Sequence, residues 1–454
     1  MKKIYSFFLF VVLSPFLNTT PSYSQTFTNP FIHPGNIYNN IQYSKYVFGQ
    51  VGHQIIQNQL EGSFGMTWID GEPYYLVNFT PELGFSKFGV GLDISLRINR
   101  KGKIRAEDFN ESYDYARMIR YVRYGEKGDD FYARLGLLDY ARLGHGLILY
   151  LYKNSPSYDD RRIGAEFDWK LGSYGFETVY GDFARAGVFG IRTFTKPLKL
   201  TSLSDVPVIS DMEAGATIAG DMRYNAMGES IDSAGKKNGK GQLAIMGFDL
   251  GFPLLRIPSV SSTFYVDYAK IFSFGSGASI GIDFDVHGGS IVDVLTKIER
   301  RYIGDKFLAN YFDAFYEIDR LDKIKFLDSL ISPGPGLFGD MTINILSTLL
   351  VHGTYQHLDE QPRSGLMHFA TSSGDIIPIG VVEAGYDKKF IKDFQDVFTL
   401  DERSLLYSSI GYKPYPYMTV AMVYIWTFEK DKKGIYQPQR RVETQVSFSY
   451  PLGK

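Results

Sequence analysis

From Lys87 to Asn99 every second side chain is apolar. Phe88, Val90, Leu92, Ile94, Leu96 and Ile98 share one face, and Lys87, Gly89, Gly91, Asp93, Ser95, Arg97 and Asn99 share the other. A period of two is that of a β-strand whose faces meet different surroundings. Arg162–Leu171 repeats it: Ile163, Ala165, Phe167, Trp169 and Leu171 oppose Arg162, Gly164, Glu166, Asp168 and Lys170. The segments Asp211–Met222, Gly277–Val286 and Arg441–Tyr450 follow the same rule. Soluble strands usually run about 5–6 residues, whereas these reach 10 to 13. A tilted strand needs roughly 9–11 residues to cross a bilayer. Many long strands with one apolar and one polar face fit lipid outside and water inside.

Less regular strands are expected near Glu61–Ile69, Tyr74–Leu83, Tyr113–Tyr124, Tyr174–Phe183 and Val188–Phe194. Further strands are expected near Gln242–Phe252, Ser262–Phe272, Met341–Val351, Ser364–Ala370, Pro378–Tyr386, Arg403–Tyr412 and Met418–Phe428. Phe131–Tyr152 reads as one long bent strand or two, with Gly144 and Gly146 near its middle. Short Gly-containing turns alternate with longer polar connections such as Arg100–Ser112 and Lys153–Arg161, as in barrels with periplasmic turns and extracellular loops. The expected fold class is all-β, a single transmembrane antiparallel β-barrel of about 16–18 strands. One stretch breaks the period. From Ser290 to Leu330 the apolar residues Ile291, Leu295 and Ile298, then Ile318, Leu321, Ile324 and Leu327, are spaced as on a helix. This predicts a partly helical insert near 290–330, either an external cap or a loop folded into the lumen.

The N-terminus supplies the address. Lys2 and Lys3 precede a run from Ile4 to Leu17 that is apolar apart from Ser6, Ser14 and Pro15, and Ser22 and Ser24 suggest cleavage near Ser24/Gln25. The expected organisation is a signal peptide over 1–24, an N-terminal segment over 25–60 and a barrel over 61–454. With no cysteine in 454 residues there is no disulfide scaffold and no thiolate metal site. A net charge of −2 gives no basic field, so no nucleic-acid partner is expected.

The last strand carries a resemblance. Val442, Thr444, Val446, Phe448 and Tyr450 alternate with Arg441, Glu443, Gln445, Ser447 and Ser449. With the strands before it, this resembles the outer-membrane β-barrel proteins of bacteria with two membranes, porin-like in period and without a specific named family. The resemblance implies outer-membrane lipid and, through the C-terminal strand, the barrel-assembly machinery as partners. Asn29-Pro30 is similar to the start of the N-terminal hatch in barrels that transport long-chain fatty acids, which makes residues 25–60 a possible lumen hatch.

Candidate pore-lining residues are the charges on polar strand faces: Asp93, Arg97, Arg162, Glu166, Asp168, Lys170, Glu177, Arg441 and Glu443. Walls of mixed sign select solutes by charge and size. About eight strands can be filled by side chains, whereas 16–18 leave an aqueous channel unless plugged. The expected function is a channel or porin-like passive transporter of small solutes. The alternatives are a hatch-gated transporter of hydrophobic compounds, a barrel-embedded hydrolase or a structural surface barrel. No catalytic residue, metal or cofactor is expected: the seven histidines form no metalloprotease motif and no G-x-S-x-G elbow flanks a serine. His145, in Leu143-Gly144-His145-Gly146, reads as a loop or rim histidine, or as the base of a barrel hydrolase. Arg117, Arg120 and Arg123 are out of strand register, which requires a bulge or places Arg120 near an interface.

Overall fold

The strand Gln59–Ile69 pairs with the strand that follows it and also with the last, Tyr436–Pro451: Gly62 faces Phe79 on one side and Phe448 on the other. A sheet whose first and last strands pair has no open edge. This computed structural model describes residues 59–451, less 70–71, 126, 139–140, 156–161, 224, 290, 314–315, 332–333, 347–348, 360, 362–363, 374–376, 378, 402 and 431–435. The expected signal peptide and nearly all of the expected hatch lie outside the described residues.

The closed sheet holds 22 strand segments and every pairing in it is antiparallel. Glu72–Phe79 and Glu82–Phe85 run on as one stave, as do Phe88–Leu92 and Ile94–Asn99, so two pairs merge and the 22 segments make twenty staves. The fold class is the expected one; among the described residues the strand number exceeds the upper expected value of about 18 by two, and two staves account for that difference. Val292–Ile303, expected as part of the insert, is a strand paired on both sides. The expected single strand Met341–Val351 is the end of Gly334–Ile345, a turn, and the start of Leu349–Leu358.

Both departures have local causes. In Val292–Ile303 Leu295 and Ile303 interrupt an inward row that otherwise carries Asp293, Lys297, Glu299 and Arg301, and Arg300 interrupts the outward row, so the polarity contrast that reveals a strand is broken at three positions. Arg300 is neutralised on the outer face by Asp359 at 2.5 Å. The helical part of the insert is Tyr316–Ser329. The expected strand Tyr113–Tyr124 begins only at Ile119, because Ser112–Ala116 forms a helical turn under a capping box of Glu111 and Asp114. A register shift opposite Gly91 and Leu92 then turns Arg120 and Tyr121 both inward, while Ile119 and Val122 point out. The bulge, not an interface position, resolves the arginine problem.

Polarity is inverted relative to a soluble protein. Outward side chains are large and apolar, among them Phe64, Phe248, Ile280, Met341, Ile410 and Met422, all well exposed. Inward side chains are polar and covered: Arg192, Asp267, Glu299, Arg301, Glu383 and Ser409 lie between 0% and 4% exposed. An apolar outer band is what a bilayer requires of a barrel. One end of the wall closes mainly with short turns, such as 86–87, 172–173, 258–259 and 416–417, with one longer connection at 196–212. The opposite end carries the long connections 100–118, 137–163, 222–242, 304–333 and 392–403.

Candidate functional site, a plugged lumen

Two of the long connections enter the barrel. The strand Phe131–Gly136 stops at Gly136, and the chain turns inward rather than continuing to Tyr152. Residues 141–152 form a small hairpin closed by Ala141 and Tyr152, whose backbones exchange hydrogen bonds of 2.9 and 3.0 Å. Its second arm pairs in parallel with 310–312: Asn310 N–H donates to Leu147, Phe312 N–H to Ile148, and Tyr150 N–H back to Phe312. The two connections therefore form one body, and the helix Tyr316–Ser329 completes it.

This plug has its own apolar core. Leu143, Leu147, Leu149, Tyr152, Phe307, Tyr311, Phe312, Tyr316 and Leu327 pack against Val188, Ala219, Leu243, Ala269 and Ile271 of the wall. The wall residues are small where the plug comes close. A Cβ at Gly190 would collide with the Leu143 side chain, and one at Gly277 with the Phe307 ring. Burying a Leu or Phe side chain contributes about 1.5–3 kcal/mol, so this core is a strong reason for the connections to leave water.

Polar clamps fix the plug at its base. Asn154, fully buried, accepts from Leu138 N–H and reaches the carbonyls of Gly136, Arg162 and Gly181 with its amide, at 3.0–3.3 Å. Tyr316 Oη donates to Asp221 at 2.8 Å, and Arg320 donates to Asn225. Glu317 takes a hydrogen bond of 2.6 Å from Tyr152 Oη and pairs with Arg162 and with Arg223. One carboxylate thereby ties the helix to the hairpin and to the connections 137–163 and 222–242.

The hairpin tip reaches the charged middle of the lumen. The His145 ring stacks on Tyr265 with centroids 4.1 Å apart, and its carbonyl accepts from Lys297 Nζ. Gly144 N–H donates to Glu177, which also pairs with Arg192 at 3.2 Å. Arg192 further holds Asp249 and Glu213 at 2.5 and 2.6 Å. Tyr265 Oη donates to Glu299, and Tyr150 Oη to Asp340. His352, also inward, meets Asp340 at 3.2 Å.

The residues singled out from sequence fall as follows. Arg97 is inward and paired with Asp108 of the 100–118 connection at 2.9 Å. Asp93 accepts from Ser95 on the same face. Glu166 and Asp168 are inward and share Lys127 from the neighbouring turn. Arg162 and Glu177 belong to the plug contacts above. Lys170 is exposed at the short-turn end and donates to the Gly128 carbonyl. Arg441 and Glu443 occupy register positions opposite Ile425 and Val423; their side chains lie outside the described residues. Arg97, Arg162, Glu166, Asp168 and Glu177 are thus tied into ion pairs, several with residues from connections, whereas Asp93 and Lys170 hydrogen-bond to Ser95 and to the Gly128 carbonyl. His145, expected in a loop or at a rim, or as a base, lies in a connection and forms the tip of the plug. Sequence reasoning missed Asn154, Lys297, Glu299 and Glu317. The available signal was the row of small inward wall residues, which marks where another segment packs.

No family model and no curated protein matches the sequence. Solved structures with similar architecture include Wzi of Escherichia coli, an outer membrane protein involved in group 1 capsule assembly and a carbohydrate-binding β-barrel. It has a TM-score of 0.37 and 10% identity, over 96% of this chain and 90% of that one. OccK11 of Pseudomonas aeruginosa gives 0.32 and 8%, over 87% and 95%. CdiB of Acinetobacter baumannii gives 0.30 and 8%, over 86% of this chain, which spans 60% of that one. Similarity this weak assigns no activity.

Proposed function

We propose that this chain is an outer-membrane conduit for small polar solutes that rests closed, with the luminal hairpin and the helix Tyr316–Ser329 as its gate. The observation that carries the reading is the contrast within the lumen. The wall presents buried charges of both signs to the interior, and a separate body with an apolar core sits among them. A barrel of this many staves would otherwise leave a wide aqueous channel. The reading involves no catalytic step, and it takes the bilayer around the apolar band and the solute as its partners.

The test is single-channel conductance of residues 25–454 refolded into a planar bilayer, with heat-modifiable gel migration as the check on folding. The unmodified chain is expected to be nearly silent, with rare brief steps. Leu149→Asp places a charge in the plug core and is expected to raise open probability sharply. Large stable steps from the unmodified chain would remove the gate. A correctly folded Leu149→Asp barrel that stays silent would remove the conduit and leave a structural barrel.

A further inference from the structure

The connection 392–403 joins the strands Gly380–Ile391 and Ser404–Tyr415 at the long-loop end. Their register is unbroken from Gly380 to Lys388: Glu383 faces Ser409 on the inner face, and Lys388 faces Ser404 on the outer face, in the same row as Val382 and Ile410. A lysine on the outside of a membrane barrel is unfavourable, more so with depth. Here it is fully covered. Lys388 Nζ donates to the Thr399 carbonyl and to Ser404 Oγ, and lies 3.4 and 3.7 Å from Asp401 and Asp396.

The connection has therefore folded down over the outer wall. Tyr386 Oη, two residues along the same outer row, donates to the Val397 carbonyl. Arg403 grips Asp396 with two hydrogen bonds of 2.6 and 2.7 Å, reaches Asp401, and donates to the Phe390 carbonyl. Beneath this flap lie ion pairs; its outer skin carries aromatic rings among the exposed Lys392, Asp393 and Gln395. Phe394 and Phe398 are 78% and 72% exposed, with rings edge to face at 5.5 Å, and Phe390 and Leu400 are exposed beside them.

We propose that this flap is a lipid anchor, with Phe394 and Phe398 seated at the boundary of head groups and acyl chains in the leaflet on the long-loop side. The flap lies against the same outer face whose exposed Val382, Phe369, Ile410 and Tyr412 form the apolar band, so its rings continue an interface the barrel already makes. The ion-paired charges of the flap, Lys388 and Arg403 with Asp396 and Asp401, are turned against one another, and the exposed rings stand among the exposed Lys392, Asp393 and Gln395, the mixture of aromatic and polar side chains that a head-group boundary accommodates. The inference rests on the barrel and is independent of what crosses the lumen.

The chain has no cysteine, so single labels can be placed in the full chain. Phe394→Cys, Phe398→Cys, Ile410→Cys on the band and Ala234→Cys in an exposed loop would each carry an environment-sensitive nitrobenzoxadiazole group. The proteins would be placed in vesicles of phosphatidylcholine and phosphatidylglycerol containing spin-labelled lipid. Labels at 394 and 398 are expected to lose fluorescence to a spin label near the head group, the label at 410 to a deeper one, and the label at 234 to neither. Labels at 394 and 398 that behave like 234 would overturn the proposal. So would energy transfer between copies without lipid quenching, which would identify a contact between two chains. Adding Asp396→Ala and Asp401→Ala to the Phe394→Cys protein should abolish its quenching; unchanged quenching would overturn the flap as the holder of the rings.

Discussion

Two connections leave the same end of the barrel and fold in opposite directions. Residues 137–163 turn into the lumen, whereas 392–403 drop over the outer wall. Their destinations follow from what each meets. The inward connection carries Leu143, Leu147 and Leu149 toward a wall row lined by Gly190, Ala219 and Ala269, which leaves room for side chains. The outward one carries Asp396 and Asp401 toward a lysine that would otherwise face lipid. In the first case apolar burial dominates and polar clamps add position. In the second, charge neutralisation dominates and Phe394 and Phe398 are left on the surface. A long connection in a barrel is thus not simply a solvated loop; it goes where the wall has an unmet requirement.

The sharpest way to break the comparison is at Glu317. Glu317→Gln leaves the buried Arg162 with Asp182 as a remaining carboxylate and the partly buried Arg223 facing a neutral partner, which should cost about 1–3 kcal/mol, less than the full loss of a buried pair. The plug should loosen by that order while the flap is untouched. Hydrogen exchange at the Ala141, Leu143 and Tyr152 amides, set against that at Thr399, reads both regions at once. Equal change in the two would show that they are not independent.

An effect no larger is expected at Asn154. Asn154→Ala removes one side chain that satisfies four backbone groups, and leaving such groups buried and unpaired costs about 1–3 kcal/mol. Proteolytic cleavage within 137–155 of the folded barrel should become faster. A protected hairpin in this variant would mean that the apolar core alone holds the plug.

The smallest effect at neutral pH concerns the flap, which should respond to acid. Hydrogen bonds from Arg403 hold the Asp396 carboxyl well below the usual carboxylate range. A lowered folded value means that the stabilisation is complete above the ordinary aspartate value of about 3.9 and is lost as pH falls from there through the lowered value. Proteolysis or label mobility at 394 should be flat between pH 5 and 8, on the order of the neutral range, and rise only below about 4. A rise near pH 6 would assign control of the flap to another group.

The alternation in Lys87–Asn99 and Arg162–Leu171 was enough to place their inner and outer faces, because a lipid-facing row and a lumen-facing row differ at every step. Where apolar residues interrupt the inner row, as Leu295 and Ile303 do beside Lys297, Glu299 and Arg301, that contrast weakens and the helical spacing of Ile291, Leu295 and Ile298 competes with it. Phe131–Tyr152 failed for a related reason: apolar residues bound for a luminal core read like residues bound for lipid. The inward positions of Glu166, Asp168 and Glu177 were legible from period alone. Their partners Lys127 and Arg192 were not, since nothing local relates a turn residue or a distant strand to a given carboxylate.

By itself the chain determined that it would form long two-faced strands with an apolar outer band, for that is written residue by residue in a period of two. The tertiary structure alone decided that the lumen is occupied, which connections enter it and which lies outside. Those outcomes depend on side chains that meet across more than 150 positions of sequence, as Lys297 meets the His145 carbonyl across 152. Such meetings exist only once the wall has closed.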